Sequence, residues 1–326
     1  MSYPAVRCNL CPRECELSHL ERGDCRVRIN YQGKLISLVY GKPCAVHIDP
    51  IEKKPLFHFL PATRVFSLAT AGCNLHCKFC QNWEISQINP EDTSNLTLDP
   101  DKVVRIARNK GCQSIAYTYS EPIIFYEYTY DTSVLAHQAG LRNVLVTAGF
   151  INEKPLRRLC KVADAANVDL KSLSDEYYQR ICSGRLKPVL DSLKIMQEEG
   201  VFIEITNLII PTLNDDPDLM RRMCDWILNQ LGPEAPLHFS RFHPQYKLRN
   251  LPPTPAEVLL RARDQAMAQG LYYVYTGNIP GSGGENTICP NCKNVVIERI
   301  GYHVPGIHIK NGTCAFCGEK IHGVWS

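Results

Sequence analysis

The sequence predicts an α/β protein: a partial barrel of parallel strands, six of them in βα repeats, with a cysteine-rich module at the N-terminus and a zinc-ribbon-like module at the C-terminus. Three observations predict it. From about residue 62 to 280, short β-rich runs alternate with amphipathic helical stretches, the pattern that places helices between parallel strands. The chain has 326 residues, 44% of them hydrophobic and 21% charged, enough length and apolar content for a large core. Finally, of 16 cysteines all but Cys44, Cys112, Cys160, Cys182 and Cys224 fall into three clusters. Those five read as small buried hydrophobes.

The elements follow in order, with the module boundaries set at 1–61, 62–284 and 285–326. "RVFSLAT" (64–70) is the first strand. "PDKVVRIARNKG" is a helix with Val103, Val104, Ile106 and Ala107 on its apolar face, and "QSIAYTY" is the second strand. "PIIFYEYTYDTSVLAHQAG" and "RNVLVTA" form the next helix and strand, then "PLRRLCKVA" and "AANVDLK". "PVLDSLKIMQEEG" precedes the strand "VFIEITNLII", and "DPDLMRRMCDWILNQLG" precedes "LHFSRF". "TPAEVLLRARDQAMAQG" leads to "LYYVYTG", a seventh strand expected outside the barrel proper.

In such folds the loops after the strands carry the function. The loop after the first strand, "AGCNLHCKFCQNWE", holds Cys73, Cys77 and Cys80. A structural zinc site closes its tetrahedron with four protein ligands, so three are one short unless His76 or a distant residue completes it. A [4Fe–4S] cube held by three thiolates instead leaves one iron open to a small molecule.

The spacing Cys-x3-Cys-x2-Cys, with Phe79 before the last cysteine and the first strand before the loop, resembles the radical S-adenosylmethionine (SAM) superfamily. The resemblance implies that the open iron chelates SAM, and that one electron cleaves it to methionine and a 5′-deoxyadenosyl radical that abstracts hydrogen from a substrate. Glu121 and Ser120 in "YTYSEP" stand where the superfamily binds the SAM amino group, although Tyr119 and Ser120 replace its two glycines. "VTAGF", with Thr147, resembles a turn of glycyl-radical activating enzymes. In "VDLKS", Lys171 is implied to meet the SAM carboxylate, the alternative being an internal pair with Asp169. Asn207 is assigned to the ribose or to capping a turn. His243 resembles a strand-end histidine near the adenosyl moiety and is the candidate catalytic residue, against a histidine that packs under the next loop.

The C-terminal "CPNC" and "CAFC" make two Cys-x2-Cys knuckles, so Cys289, Cys292, Cys314 and Cys317 read as a closed tetrahedral zinc site. Cys8, Cys11, Cys15 and Cys25 read as a zinc site or a second iron–sulfur cluster, with zinc favoured.

A net charge of +3, from 36 basic and 33 acidic residues, does not announce a nucleic-acid binder. There is no apolar run of the roughly 18 residues that a membrane span needs, nor a secretion signal in "MSYPAVRCNLCPREC". A soluble cytoplasmic protein is expected. Over nearly its whole length the chain resembles the radical SAM enzyme of the AmmeMemoRadiSam system, carried by "CNLCPRECELSHLERGDCRVR", "HIDPIEKKPLFHFLP", "YVYTGN" and "CAFCGEKIHGVW" besides the motifs above. That resemblance implies AMMECR-like and MEMO-like partners and a reducing protein such as a flavodoxin or ferredoxin. The function expected is hydrogen abstraction from an unidentified substrate in a protein or nucleotide modification pathway. A glycyl-radical activase and a metal-bearing binding module are the alternatives.

Overall fold

Eight strands cross one sheet in chain order in the computed structural model, which describes residues 3–279 and 281–326. They are β1 (Ala45–Pro50), β2 (Arg64–Ala69), β3 (Ser114–Tyr117), β4 (Arg142–Thr147), β5 (Ala165–Asp169), β6 (Phe202–Ile209), β7 (Leu237–Arg241) and β8 (Val274–Gly277). From β2 to β8 every pairing is parallel. Six helices make the crossovers: α1 (Pro100–Asn109), α2 (Tyr126–Gln138), α3 (Glu153–Cys160), α4 (Leu186–Glu198), α5 (Pro217–Leu231) and α6 (Ala256–Ala268). No helix among the described residues is long and apolar enough to cross a membrane.

Two features depart from the sequence reading. The seventh strand does not lie outside the sheet, because β8 pairs with β7 in register, Leu237 opposite Val274. An eighth strand, β1, pairs antiparallel with β2 and forms the other edge. The boundary at 61/62 therefore separates β1 from the sheet to which it belongs.

Local chemistry explains the helix ends. Pro217 opens α5 where its missing N–H costs nothing, and the Asp216 carboxylate accepts from the Leu219 N–H at 2.8 Å. The helix stops at Gly232, whose φ of 91° lies in the region open to glycine. On α1, Val103, Val104 and Ala107 are buried, as their spacing requires.

Alternate strand residues divide between two faces. Phe66, Leu68, Ile115, Leu145, Val168, Ile205 and Phe239 face the helices and form the main core. Val65, Ala116, Val144 and Ala165 face inward and are covered by Ile51, Leu56, Phe59 and Leu60, which close the foot of the sheet. Burying each of these large apolar side chains contributes roughly 1.5–3 kcal/mol.

The C-terminal module packs beneath that plug. Its hairpin, β9 (Val295–Ile300) and β10 (His303–Ile307), is antiparallel. Cys289, Val296, Cys314 and Ile321 share a core with Phe57, Tyr273 and Tyr275. A buried polar lattice joins the parts. Glu204 on β6 accepts from the His58 N–H at 2.7 Å and pairs with His238 at 2.6 Å. His58 donates from Nδ1 to the His322 carbonyl at 2.6 Å and accepts at Nε2 from the Tyr275 hydroxyl at 2.5 Å. Arg299 of β9 donates to the Phe57 carbonyl at 2.6 Å and to Thr287 Oγ1 at 2.8 Å, with Glu52 4.0 Å away.

Candidate metal and cofactor sites

Leaving β2, the chain turns at Gly72, whose φ is +92° and whose Cβ, were there one, would lie 2.5 Å from the Cys25 carbonyl oxygen. Only glycine fits that approach. The loop is then pinned by backbone bonds from His76 N–H to the Cys182 carbonyl and from Lys78 N–H to that of Ile181, both at 2.9 Å. It ends in a one-turn helix, Trp83–Ser86, and the Ser86 hydroxyl lies 3.1 Å from Cys80 Sγ. Cys77 and Phe79 are buried, and Cys73 and Cys80 are half-buried.

Burial pushes the Cys73 and Cys80 thiols up, whereas a hydrogen bond from Cys182 holds the Cys77 thiol below its ordinary value, with Lys171 adding to the effect. Cys182 itself is pushed up by burial. Lys171 lies over the Phe79 ring, 5.5 Å from its centre, and binds Asp169 at 2.9 Å. The internal pair read as the alternative is thus formed. Its cation remains beside Cys77, where it favours thiolate.

Glu121 is almost fully buried and ties the loop after β3 to the end of β4. Its Oε1 accepts from Thr147 Oγ1 at 2.5 Å and its Oε2 from the Ala148 N–H at 2.8 Å. Burial pushes its carboxyl up to about 7 despite these donors. Ser120 donates to the Thr70 carbonyl at 2.7 Å. Both side chains, expected to meet an ammonium group, are engaged within the chain.

Asn207 departs from its reading as a ribose ligand after a strand end. The strand continues to Ile209, and alternation puts Asn207 with Ile205 and Ile209 on the helix side. There its amide donates to the Leu170 carbonyl at 2.7 Å, bracing the backbone next to Lys171. His243 is exposed in the loop after β7 and does not pack beneath the following segment. His76, the tempting fourth ligand, has both ring nitrogens engaged at 2.8 Å, by Asp24 and Gln87.

The cysteine sets differ in spacing. Cys289 and Cys317 hold their sulfurs 3.7 Å apart, as do Cys292 and Cys314, and all four lie within 4.8 Å of one another. That matches the edge of about 3.8 Å expected for a tetrahedron of 2.3 Å Zn–S bonds. Donors from Asn294 hold the Cys292 thiol down to about 6, ready to lose its proton to a cation. Among the described residues no other group of three or more Cys, His, Asp or Glu has ligand atoms so close. At least two of the Cys73, Cys77 and Cys80 sulfurs are therefore more than 4.8 Å apart, wider than the ligands of one zinc ion. Cys8, Cys11, Cys15 and Cys25 line one pocket behind this loop.

Sequence reasoning missed Cys182 and Asn74. Cys182 was grouped with the inert five, yet it donates to Cys77, and nothing in its linear spacing marks it. Asn74 is fully buried between the two N-terminal cysteine loops, donating to the Phe150 carbonyl at 2.8 Å.

Comparison with known proteins adds four findings. The sequence model described as "Radical SAM superfamily" matches residues 67–223. The uncharacterized protein MJ0808 of Methanocaldococcus jannaschii is 47% identical over 97% of this chain and 95% of its own. The pyruvate formate-lyase-activating enzyme of Clostridium pasteurianum is 25% identical over 55% of this chain and 80% of its own. In fold, a radical SAM methyltransferase from Sphaerobacter thermophilus superposes with a TM-score of 0.53 over 67% of each chain, at 17% identity.

Proposed function

The chain belongs to the radical SAM superfamily and is related to pyruvate formate-lyase activating enzymes, and on that premise we propose that it is a radical SAM oxidoreductase whose Cys73, Cys77 and Cys80 hold the reactive cluster. One observation carries the reading: three thiols of a single loop, spread wider than ligands of one ion, at the C-terminal end of the first parallel strand and inside the stretch that matches the superfamily. A bound [4Fe–4S] cluster supplies reductive cleavage of SAM and, through the resulting 5′-deoxyadenosyl radical, hydrogen abstraction from a substrate.

The chain's residues then have defined tasks. Lys171 and the Cys182 thiol favour the thiolate of Cys77, so metal binding there displaces a proton already loosened. Glu121, through Thr147 and Ala148, fixes the ends of β3 and β4 on either side of the loop. Phe79 closes one wall beside Lys171, whose cation lies over its ring. His243, exposed above β7, is free to meet a nucleoside or substrate.

The C-terminal four-cysteine set, in this proposal, binds structural zinc, consistent with its 3.7 Å sulfur pairs. We further propose that the protein acts in the cytoplasm within an AmmeMemoRadiSam system. A flavodoxin or ferredoxin would reduce it, and AMMECR-like and MEMO-like proteins would be its companions. The motifs at residues 8–28, 47–61 and 314–325 support that narrower assignment.

The experiment is to reconstitute the protein anaerobically, reduce it, add SAM and quantify 5′-deoxyadenosine against Cys77→Ala. Formation by the wild type alone supports the proposal. A fully iron-loaded, reduced wild type that yields no more than the variant refutes it.

A further inference from the structure

The second cysteine set near the N-terminus has a geometry of its own. Cys8, Cys11 and Cys25 are buried and Cys15 half-buried, and all four line a single pocket. The C-terminal set provides an internal ruler: sulfurs poised for one ion stand 3.7 Å apart there. No three of the N-terminal four come within 4.8 Å of one another, although the loops that carry them are tightly tied. Cys8 N–H donates to the Cys15 carbonyl at 2.9 Å, and Gly23 N–H to that of Arg28 at 2.8 Å. The backbone is thus pinned while the sulfurs stand back from a common centre.

Donors surround that centre. The Arg13 N–H and the Asn74 amide lie beside the Cys11 sulfur and favour its thiolate, the Val27 and Arg28 N–H groups do the same for Cys25, and the Asp24 N–H donates to Cys15 Sγ at 3.5 Å. Two buried polar atoms on the lining, Arg28 Nε and Asn74 Oδ1, have no partner in the chain. Arg28 is itself 4% exposed and brings a positive charge, its two Nη groups gripping Glu127. The unpartnered Arg28 Nε–H and the N–H groups beside the sulfurs suit a polynuclear anion whose sulfurs accept hydrogen bonds.

We propose that Cys8, Cys11, Cys15 and Cys25 hold a second [4Fe–4S] cluster, with all four irons ligated by the protein, and not zinc. This reverses the preference for zinc drawn from spacing alone. It rests on the same chemistry as the proposed function, yet its site is separate. The two loops touch: Gly72 lies against the Cys25 carbonyl, and Asn74 lines this pocket while following Cys73 directly.

The test uses Cys73/Cys77/Cys80→Ala in the full chain, reconstituted anaerobically with iron and sulfide in the presence of zinc. The expected result is about four irons and four sulfides with one zinc per chain, and a paramagnetic signal on reduction that SAM does not alter. About two zincs with no iron overturns the proposal. Wild type provides a second reading that needs no variant: about eight irons, giving two cluster signals of which SAM shifts one. If wild type holds about four irons and two zincs, and the variant loses that iron, this inference fails while the proposed function stands. If the variant keeps all the iron present in wild type, the inference stands and the Cys73 cluster fails.

Discussion

Acidification should unfasten the foot of the sheet through one histidine. His58 is completely buried and already satisfied as the neutral imidazole, donating to the His322 carbonyl and accepting from Tyr275. Burial is the main reason its pKa falls from 6.5 to about 4, and Arg299 and His238 nearby work in the same direction. In the unfolded chain the ring takes up a proton near its ordinary value. Between these two values the unfolded state binds more protons, so the stability contribution is full above about pH 6.5 and is lost as pH falls toward 4. At pH 5 the unfolded ring lies roughly 1.5 pH units below its pKa, which at 1.36 kcal/mol per unit is about 2 kcal/mol. The limit, for the full shift, is about 3 kcal/mol.

The assay compares urea unfolding at pH 7.5 and pH 5 for wild type and His58→Gln, whose amide can still donate and accept but does not titrate. Other titrating groups are common to both chains and cancel in the difference. Wild type should lose about 2 kcal/mol more than the variant between the two pH values. Equal losses would mean that His58 is not held neutral by the fold, and the account of the foot would be wrong.

Two further outcomes follow from the same region. Arg299→Met should cost about 3–5 kcal/mol of stability in urea unfolding, since it leaves Glu52 and the Phe57 carbonyl buried without their partner, and a loss under about 1 kcal/mol would contradict this. Cys314→Ser should release the proposed zinc and loosen the ribbon while leaving iron content unchanged. Metal analysis checks it, and iron loss would mean that the cysteine sets are misassigned.

What could be read in advance was whatever is local. The parallel strands and crossover helices repeat a short-range pattern, and the three-thiol loop and paired Cys-x2-Cys knuckles lie within a few residues of one another. β1 was missed because "AVHIDP" ends in proline and lacks clean alternation. Its edge position is set by pairing with β2 and not by its own propensity. Cys182 is buried in the core as expected, but its contact with Cys77 is made by folding, across about a hundred residues, and could not be read from spacing. Asn207 was misplaced because it lies inside the strand "VFIEITNLII" and on its helix side, and which face of a strand meets the helices is set by packing. The metal of the N-terminal set turns on sulfur-to-sulfur spacing, which sequence spacing does not encode.

The closure of the foot also sets an order of events during synthesis. His58 waits for the His322 carbonyl, 264 residues further along, and Phe59 forms its bridge with Val324. The βα repeats close through near neighbours and can form as they emerge, whereas these contacts carry the full entropy of a very long loop. Until residues 285–325 leave the ribosome, Phe57, Tyr273 and Tyr275 lack the apolar cover of Cys289, Val296, Cys314 and Ile321. The nascent sheet therefore passes through a period with part of its apolar underside uncovered, and the four cysteines at 289–317, which could bind a metal, come together only after it.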